Sequence, residues 1–192
     1  RTSKNYLIQA PIRAYVYFFR GTPLLVQMFI VYYGFGQFDV IKTSILWALF
    51  KEAWFCALFT FTLNTGAYTT EILRGAIEAT PHGEIEAAKA AGMSRLLMLR
   101  RILLPSAFRR ALPQYSNEII FMLHGSSLAS VITLVDITGA ARIINSRFYS
   151  PYEAFLTAAV FYMALTFMIV FLVKRLEGRW FAHLRPQETS QG

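Results

Sequence analysis

At 192 residues the chain allows one domain or a small pair. Its 55% hydrophobic and 16% charged residues set it apart from the roughly 25% charged of an average soluble domain. So apolar a chain could not cover a water-facing surface with polar groups, whereas a bilayer removes that requirement. The net charge of +8 does not point to nucleic acid, because the basic residues cluster between apolar runs.

Four apolar segments follow one another. The first, about 11–35, is long enough to span but is interrupted by Arg20-Gly21-Thr22-Pro23, where Pro23 removes a backbone donor and a kink or break is expected. The connection near 36–52 balances Lys42 and Lys51 with Asp39 and Glu52. The second segment, about 53–77, is apolar in its first half and carries Asn64, Thr65, Thr69, Thr70 and Glu71 in its second. Its lone cysteine, Cys56, reads as a small buried apolar residue. The third segment is about 113–135 and the fourth, the cleanest, about 152–173. Each reaches the roughly 20 residues that a bilayer core requires. The second and third are too polar to face lipid all round, which directs their polar groups toward other helices or a water-filled path. Asn64 with Thr65 and Gly66 reads as contact between helices that approach closely.

Basic residues alternate along this order. Arg1, Lys4, Arg13 and Arg20 precede the first break, and Lys89, Arg95, Arg100, Arg101, Arg109 and Arg110 lie between the second and third segments. Lys174, Arg175, Arg179 and Arg185 follow the last, while 136–151 carries only Arg142 and Arg147 with Asp136. By the positive-inside rule the chain starts in the cytoplasm, crosses four times and ends there. Tyr32, Tyr33, Trp47, Trp54 and Trp180 stand where an aromatic belt belongs. Residues 1–180 thus read as a transmembrane domain and 181–192 as a polar cytoplasmic tail.

The stretch 81–105 has a different character. Pro81 and Gly83 mark a helix entry, Glu84–Ala91 is rich in helix formers, and Gly92 suits a C-terminal cap. Ser94 can cap a second helix that Pro105 would stop at Leu104. The first helix would be slim, about 12 Å long at 1.5 Å per residue, and able to enter a groove on another protein. The second would be basic and amphipathic, suited to the headgroup boundary.

The spacing Glu86-Ala87-Ala88, three residues, Gly92, nine residues, Ile102, one residue, Leu104-Pro105 resembles the EAA loop of ABC importer permeases. Phe19–Gln27, Ala67–Ile72 with Arg74-Gly75, and Leu112–Gln114 with Asn117-Glu118 resemble the polar amino acid branch. His82–Ala88, Tyr115–Glu118 and Met122–His124 are most similar to the M-type permease of the histidine/lysine/arginine/ornithine and arginine/ornithine importers. Where many permeases of the branch have a Lys-Asp-Ser/Thr-type sequence, this chain has His124-Gly125-Ser126, which bears on any transfer of ligand contacts.

The resemblance implies an all-α membrane protein with the type I importer fold. The four spans seen here would join a fifth before the Arg20 segment. It also implies a bacterial inner-membrane location. The expected partners are an ABC ATPase dimer docked on the loop, a sister permease of the Q type and a periplasmic amino-acid-binding protein. Glu86, Ala87, Ala88, Gly92, Ile102, Leu104 and Pro105 are the coupling residues it assigns. ATP and Mg would be held by the ATPase and no cofactor by this chain, which has no G-x-x-x-x-G-K-[ST] run and no H-E-x-x-H spacing. Ser126 and Ser127 lack an evident base and orienting acid for hydrolysis.

Glu71, Glu118, Asn117 and Ser126 are candidates for a substrate path. A carboxylate at membrane depth needs a partner, and for Glu71 both a substrate cation and Arg74, three residues on, qualify. His124 reads as a histidine bonded to a nearby hydroxyl. Three alternatives stay open at this level: an importer of glutamine, glutamate or other polar amino acids, a homodimeric permease, and a membrane scaffold that transports nothing.

Overall fold

The structure is a computed structural model that describes residues 6–180. Arg1, Lys4, Arg185 and the tail 181–192 lie outside the described residues, as do the side chains of Arg179 and Trp180.

The described residues are helical, with no strand among them. Helix α1 (Tyr6–Gly21) is followed by α2 (Leu24–Phe29), which widens into a π-helical stretch at Ile30–Gly34 and ends in a single 3-10 turn at Phe35–Gln37. Two short helices, α3 (Asp39–Lys42) and α4 (Trp47–Phe50), lead to the long α5 (Ala53–Glu78). Then come α6 (His82–Ala90), α7 (Arg95–Met98) and α8 (Leu104–Gly125), a 3-10 stretch at Ser126–Ile132, α9 (Ile137–Phe148) and α10 (Pro151–Trp180).

The break in the first apolar segment falls where the sequence places it, and it is sharp. The limbs Tyr6–Gly21 and Leu24–Gln37 meet at 106°. Pro23 is extended at φ −62° and ψ 136° and starts α2. A bend of this size leaves carbonyls at the end of α1 without helical partners. Two buried amides supply donors. Gln27 Nε2 donates to Phe19 O at 2.8 Å and to Thr22 O at 3.0 Å. Asn64 Nδ2, from α5, donates to Phe19 O at 3.2 Å and to Gln27 Oε1 at 3.0 Å. Asn64 is therefore the interhelical contact that the sequence suggests, and Gln27 is its partner.

Judged by length and apolarity, α10 alone qualifies as a crossing helix, over Pro151–Leu176 with mean hydropathy 2.4; counting each bent pair as one span raises the number to 3. Its face of Leu156, Val160, Phe161, Phe167 and Phe171 is exposed, as suits a helix in lipid. Helix α5 is long enough at 26 residues but too polar to qualify, because Asn64, five threonines and Glu71 lie along it. It packs instead against α1, α2 and α8.

Two expected boundaries are corrected. Pro105 does not stop the second helix of the loop. One turn with an i to i−5 bond, Leu104 N to Leu99 O, absorbs the disturbance, and Pro105 sits in the first turn of α8, where its missing N–H costs little. Nor does α8 begin near Pro113. It runs through that residue from Leu104, because Ala107 and Ala111 are buried against Ala76 of α5. A proline inside a helix costs about 3 kcal/mol, and the packing on both sides of it offsets this. Residues 137–148, read as a connection, form α9. Asp136 caps it, accepting from Gly139 N at 2.7 Å, and Ala141 packs on Ala154 and Ala158 of α10.

A core of Met28, Val31, Cys56, Ala57, Ala129 and Ile132 joins α2, α5 and the 3-10 stretch. Cys56 is fully buried there, as expected of a small apolar residue, and its Sγ lies 3.1 Å from Phe50 O.

Candidate functional site

Two places carry chemistry, and α8 connects them. The first is the elbow formed by α6 and α7. Helix α6 is nine residues long and ends in a Schellman turn. Gly92 N donates to Lys89 O at 2.9 Å and Met93 N to Ala88 O at 3.1 Å, with Gly92 at φ +70°. Ser94 then caps α7, accepting from Leu97 N at 3.4 Å. Both capping roles match the sequence reading.

Ala88 is the one α6 side chain that is buried, at 4% exposure; Glu86, Ala87, Lys89, Ala90 and Gly92 are exposed along the opposite side. Between α6 and the following helix lies a groove of about 570 Å³ lined by Ala87, Ala88, Ile102 and Pro105 and closed on its polar side by Glu84, Ser106 and Arg110. Four of the seven expected coupling residues thus share one groove. Gly92 forms the turn beside it, Leu104 is half-buried in α8, and Glu86 faces solvent.

The second place is a cavity of about 570 Å³ at the break between α1 and α2. Arg20, Asn64, Tyr68, Glu118, Met122 and His124 line it, with residues 21–24. Glu118 is 7% exposed and comes from α8. Arg20 lies over the Tyr68 ring, its guanidinium carbon 5.2 Å from the centroid, a cation–π contact.

The two carboxylates singled out by sequence part company here. Glu71 is held by Arg74, with Nε and Nη2 each 3.1 Å from a carboxylate oxygen, and Arg20 Nη1 lies 3.6 Å away. Arg74 also pairs with Glu78. Glu71 is thus paired with Arg74, one of the two partners open to it. Glu118 lines the cavity, whereas its neighbour Asn117 is exposed on α8 outside the lining, and Ser126 spends its hydroxyl on Leu123 O at 2.7 Å. His124 Nε2 is 3.2 Å from Thr166 Oγ1, the hydroxyl contact expected of it.

Gln27, Arg20 and Tyr68 were missed as site residues. A single glutamine inside the apolar run Leu24–Phe29 was the available signal for the first. Arg20 and Tyr68 meet where α1 packs against α5, a contact that no spacing reveals.

A helical membrane bundle that carries a capped elbow at one end of α8 and a charged cavity further along has the parts of a transport subunit. The family described as "Binding-protein-dependent transport system inner membrane component" matches residues 2–182, and the chain belongs to it. It is a permease subunit of an ABC importer; the ATPase is a separate subunit, and the family implies that ATPase and a substrate-binding protein as partners.

The nopaline transport system permease protein NocM of Agrobacterium fabrum is 47% identical over 188 residues, covering 97% of this chain and 78% of the relative. The histidine/lysine/arginine/ornithine transport system permease protein HisM of Escherichia coli is 48% identical over 190 residues, covering 98% and 80%. A crystal structure of an amino acid ABC transporter with histidines superposes with a TM-score of 0.81 at 33% identity, over 92% of this chain and 78% of that one. An inward-facing form of the MetNI methionine ABC transporter, at 18% identity and a TM-score of 0.71, shares the fold.

Proposed function

We propose that this chain is a multi-pass subunit of a bacterial inner-membrane importer for basic amino acids, with α6 as the element that docks the ATPase. The observation that carries the reading is the placement of elbow and cavity on one helix. Pro105, in the groove beside α6, and Glu118, in the cavity, are 13 residues apart on α8, about 20 Å at 1.5 Å per residue. A shift of α6 therefore has a stiff path to the cavity wall. ATP and Mg stay with the ATPase, and this chain holds no cofactor. A sister permease of the Q type completes the pathway, and a periplasmic amino-acid-binding protein delivers the substrate. Closure of the ATPases would draw the elbows together and rock the helices, the rigid-body mode of alternating access.

The basic substrate class rests on Glu118 together with the names of the relatives. Glu71 already has arginine partners, so Glu118 is the carboxylate left to face a substrate cation. Hydrogen bonds to a charged group contribute about 1.5–3 kcal/mol, so Glu118→Gln should cut arginine uptake about tenfold or more. Expression, ATPase binding and nucleotide-driven hydrolysis should stay at wild-type levels. Competition of labelled arginine uptake by lysine and ornithine, but not by glutamine or glutamate, is the accompanying test. Inhibition by glutamine instead would move the protein to the neutral amino acid importers.

A further inference from the structure

The carboxylate of Glu84, in the first turn of α6, makes two contacts to α8. It accepts from Ser106 Oγ at 3.0 Å and from Arg110 Nη2 at 2.9 Å. Ser106 and Arg110 are four residues apart, so they stand one turn above the other on the same face of α8. The same guanidinium reaches back to α5, where Nη1 donates to Ala79 O at 3.1 Å, the carbonyl just past the end of that helix. One acid and one arginine thus tie the ends of three helices. Glu84 lies outside the Glu86–Pro105 spacing from which the coupling residues were drawn.

Little else fixes α6. Ala88 is its single buried side chain, and the tight turns at Thr80–Pro81 and Gly92 on either side can act as pivots. A half-exposed ion pair adds little to folding, since solvent screens it. Its mechanical consequence is larger: without it, α6 can tilt on its two turns while α8 stays still. We infer that the Glu84–Arg110 pair is the positioning clamp that converts displacement of α6 into displacement of α8 and α5. This rests on α6 being the ATPase-docking element. It assigns Glu84 to transmission rather than to docking.

The test uses the full complex of both permeases, ATPase and binding protein in liposomes, with ATP hydrolysis and labelled arginine uptake measured together. Glu84→Ala and Arg110→Ala should keep the ATPase bound and hydrolysing while the ATP consumed per arginine imported rises at least about fivefold, the lower end of typical coupling between linked sites. The reversed pair, Glu84→Arg with Arg110→Glu, restores the α6–α8 ion pair but not the donor to Ala79 O, and should bring that ratio at least halfway back to wild type, a rescue that a loss of folding would not show. Uptake and hydrolysis falling in step, a ratio unchanged in the single variants, loss of the ATPase from them, or a reversed pair no better than the singles would each overturn the clamp. If a single variant does not assemble, the ratio in the reversed pair decides alone. A Gly92→Val complex that still holds its ATPase would instead overturn the docking role of α6.

Discussion

A valine in place of Gly92 is expected to cut ATP-driven uptake more than tenfold and to release the ATPase from the purified complex. Gly92 sits at φ +70°, and the two bonds that close α6 depend on that conformation. No side chain or backbone atom crowds the position, so a substituent there meets open space. The penalty is in the backbone alone, roughly 1–2 kcal/mol for an L-residue in the left-handed region and more for a β-branched one. The short α6 has one buried side chain to resist it. Relief of the strain opens the Schellman turn and re-aims α6 relative to α7. Asparagine tolerates the left-handed conformation, so Gly92→Asn should retain most uptake. Equal activity of the valine and asparagine variants would show that the turn geometry is not what the ATPase requires.

The second large effect concerns folding. Gln27→Leu should lower the thermal midpoint of the detergent-solubilised complex by about 6–12 °C. Gln27 is 3% exposed and holds Phe19 O and Thr22 O at the bend. A buried acceptor left without its donor costs about 1–3 kcal/mol. Asn64 still reaches Phe19 O, so Thr22 O bears most of the loss. Leucine would also strand the amide of Asn64, which has Gln27 Oε1 as its second acceptor. Summed, about 3 kcal/mol follows, and in a protein of this size each kcal/mol corresponds to about 2–4 °C. A midpoint unchanged from wild type would mean that water or the sister subunit satisfies the bend in place of Gln27.

The parts of the fold that local chemistry dictates were legible in the sequence. Pro23 and Gly21 announce the break, Gly92 and Ser94 announce the elbow, and the apolar run at 152–173 announces α10. Asn64 was readable as an interhelical contact, because an amide in an apolar segment must find a partner. Its partner was not readable, since Gln27 lies 37 residues away and the two meet only after the bend. The same holds for Glu84 and Arg110, separated by 26 residues. Local signals also misled where packing overrode them. Pro105 and Pro113 are helix breakers by propensity, yet a one-turn adjustment and the alanine contacts with α5 carry α8 through both. Helix α9 was taken for a connection because it is short and polar. Asp136 followed by Ile137, Ala140, Ala141 and Ile144 is an N-cap ahead of an amphipathic pattern, and that signal was present.

Of the residues considered for a substrate path, Glu118 lines the cavity at the break between α1 and α2. Glu71 shows why a carboxylate in a span is an ambiguous sign. Arg74, one turn on, and Arg20, from α1 packed on α5, both lie against its carboxylate.

The most direct measurement of the coupled transport of basic amino acids is accumulation of labelled arginine in liposomes that hold the full-length chain, its sister permease and the ATPase, with the binding protein supplied on the receiving side. ATP-dependent accumulation in the wild type that is lost with Gly92→Val and reduced with Glu118→Gln is the predicted result. A stably assembled complex that hydrolyses ATP but accumulates no arginine would contradict the basic substrate class. One that accumulates arginine equally with Gly92→Val would contradict coupling through α6.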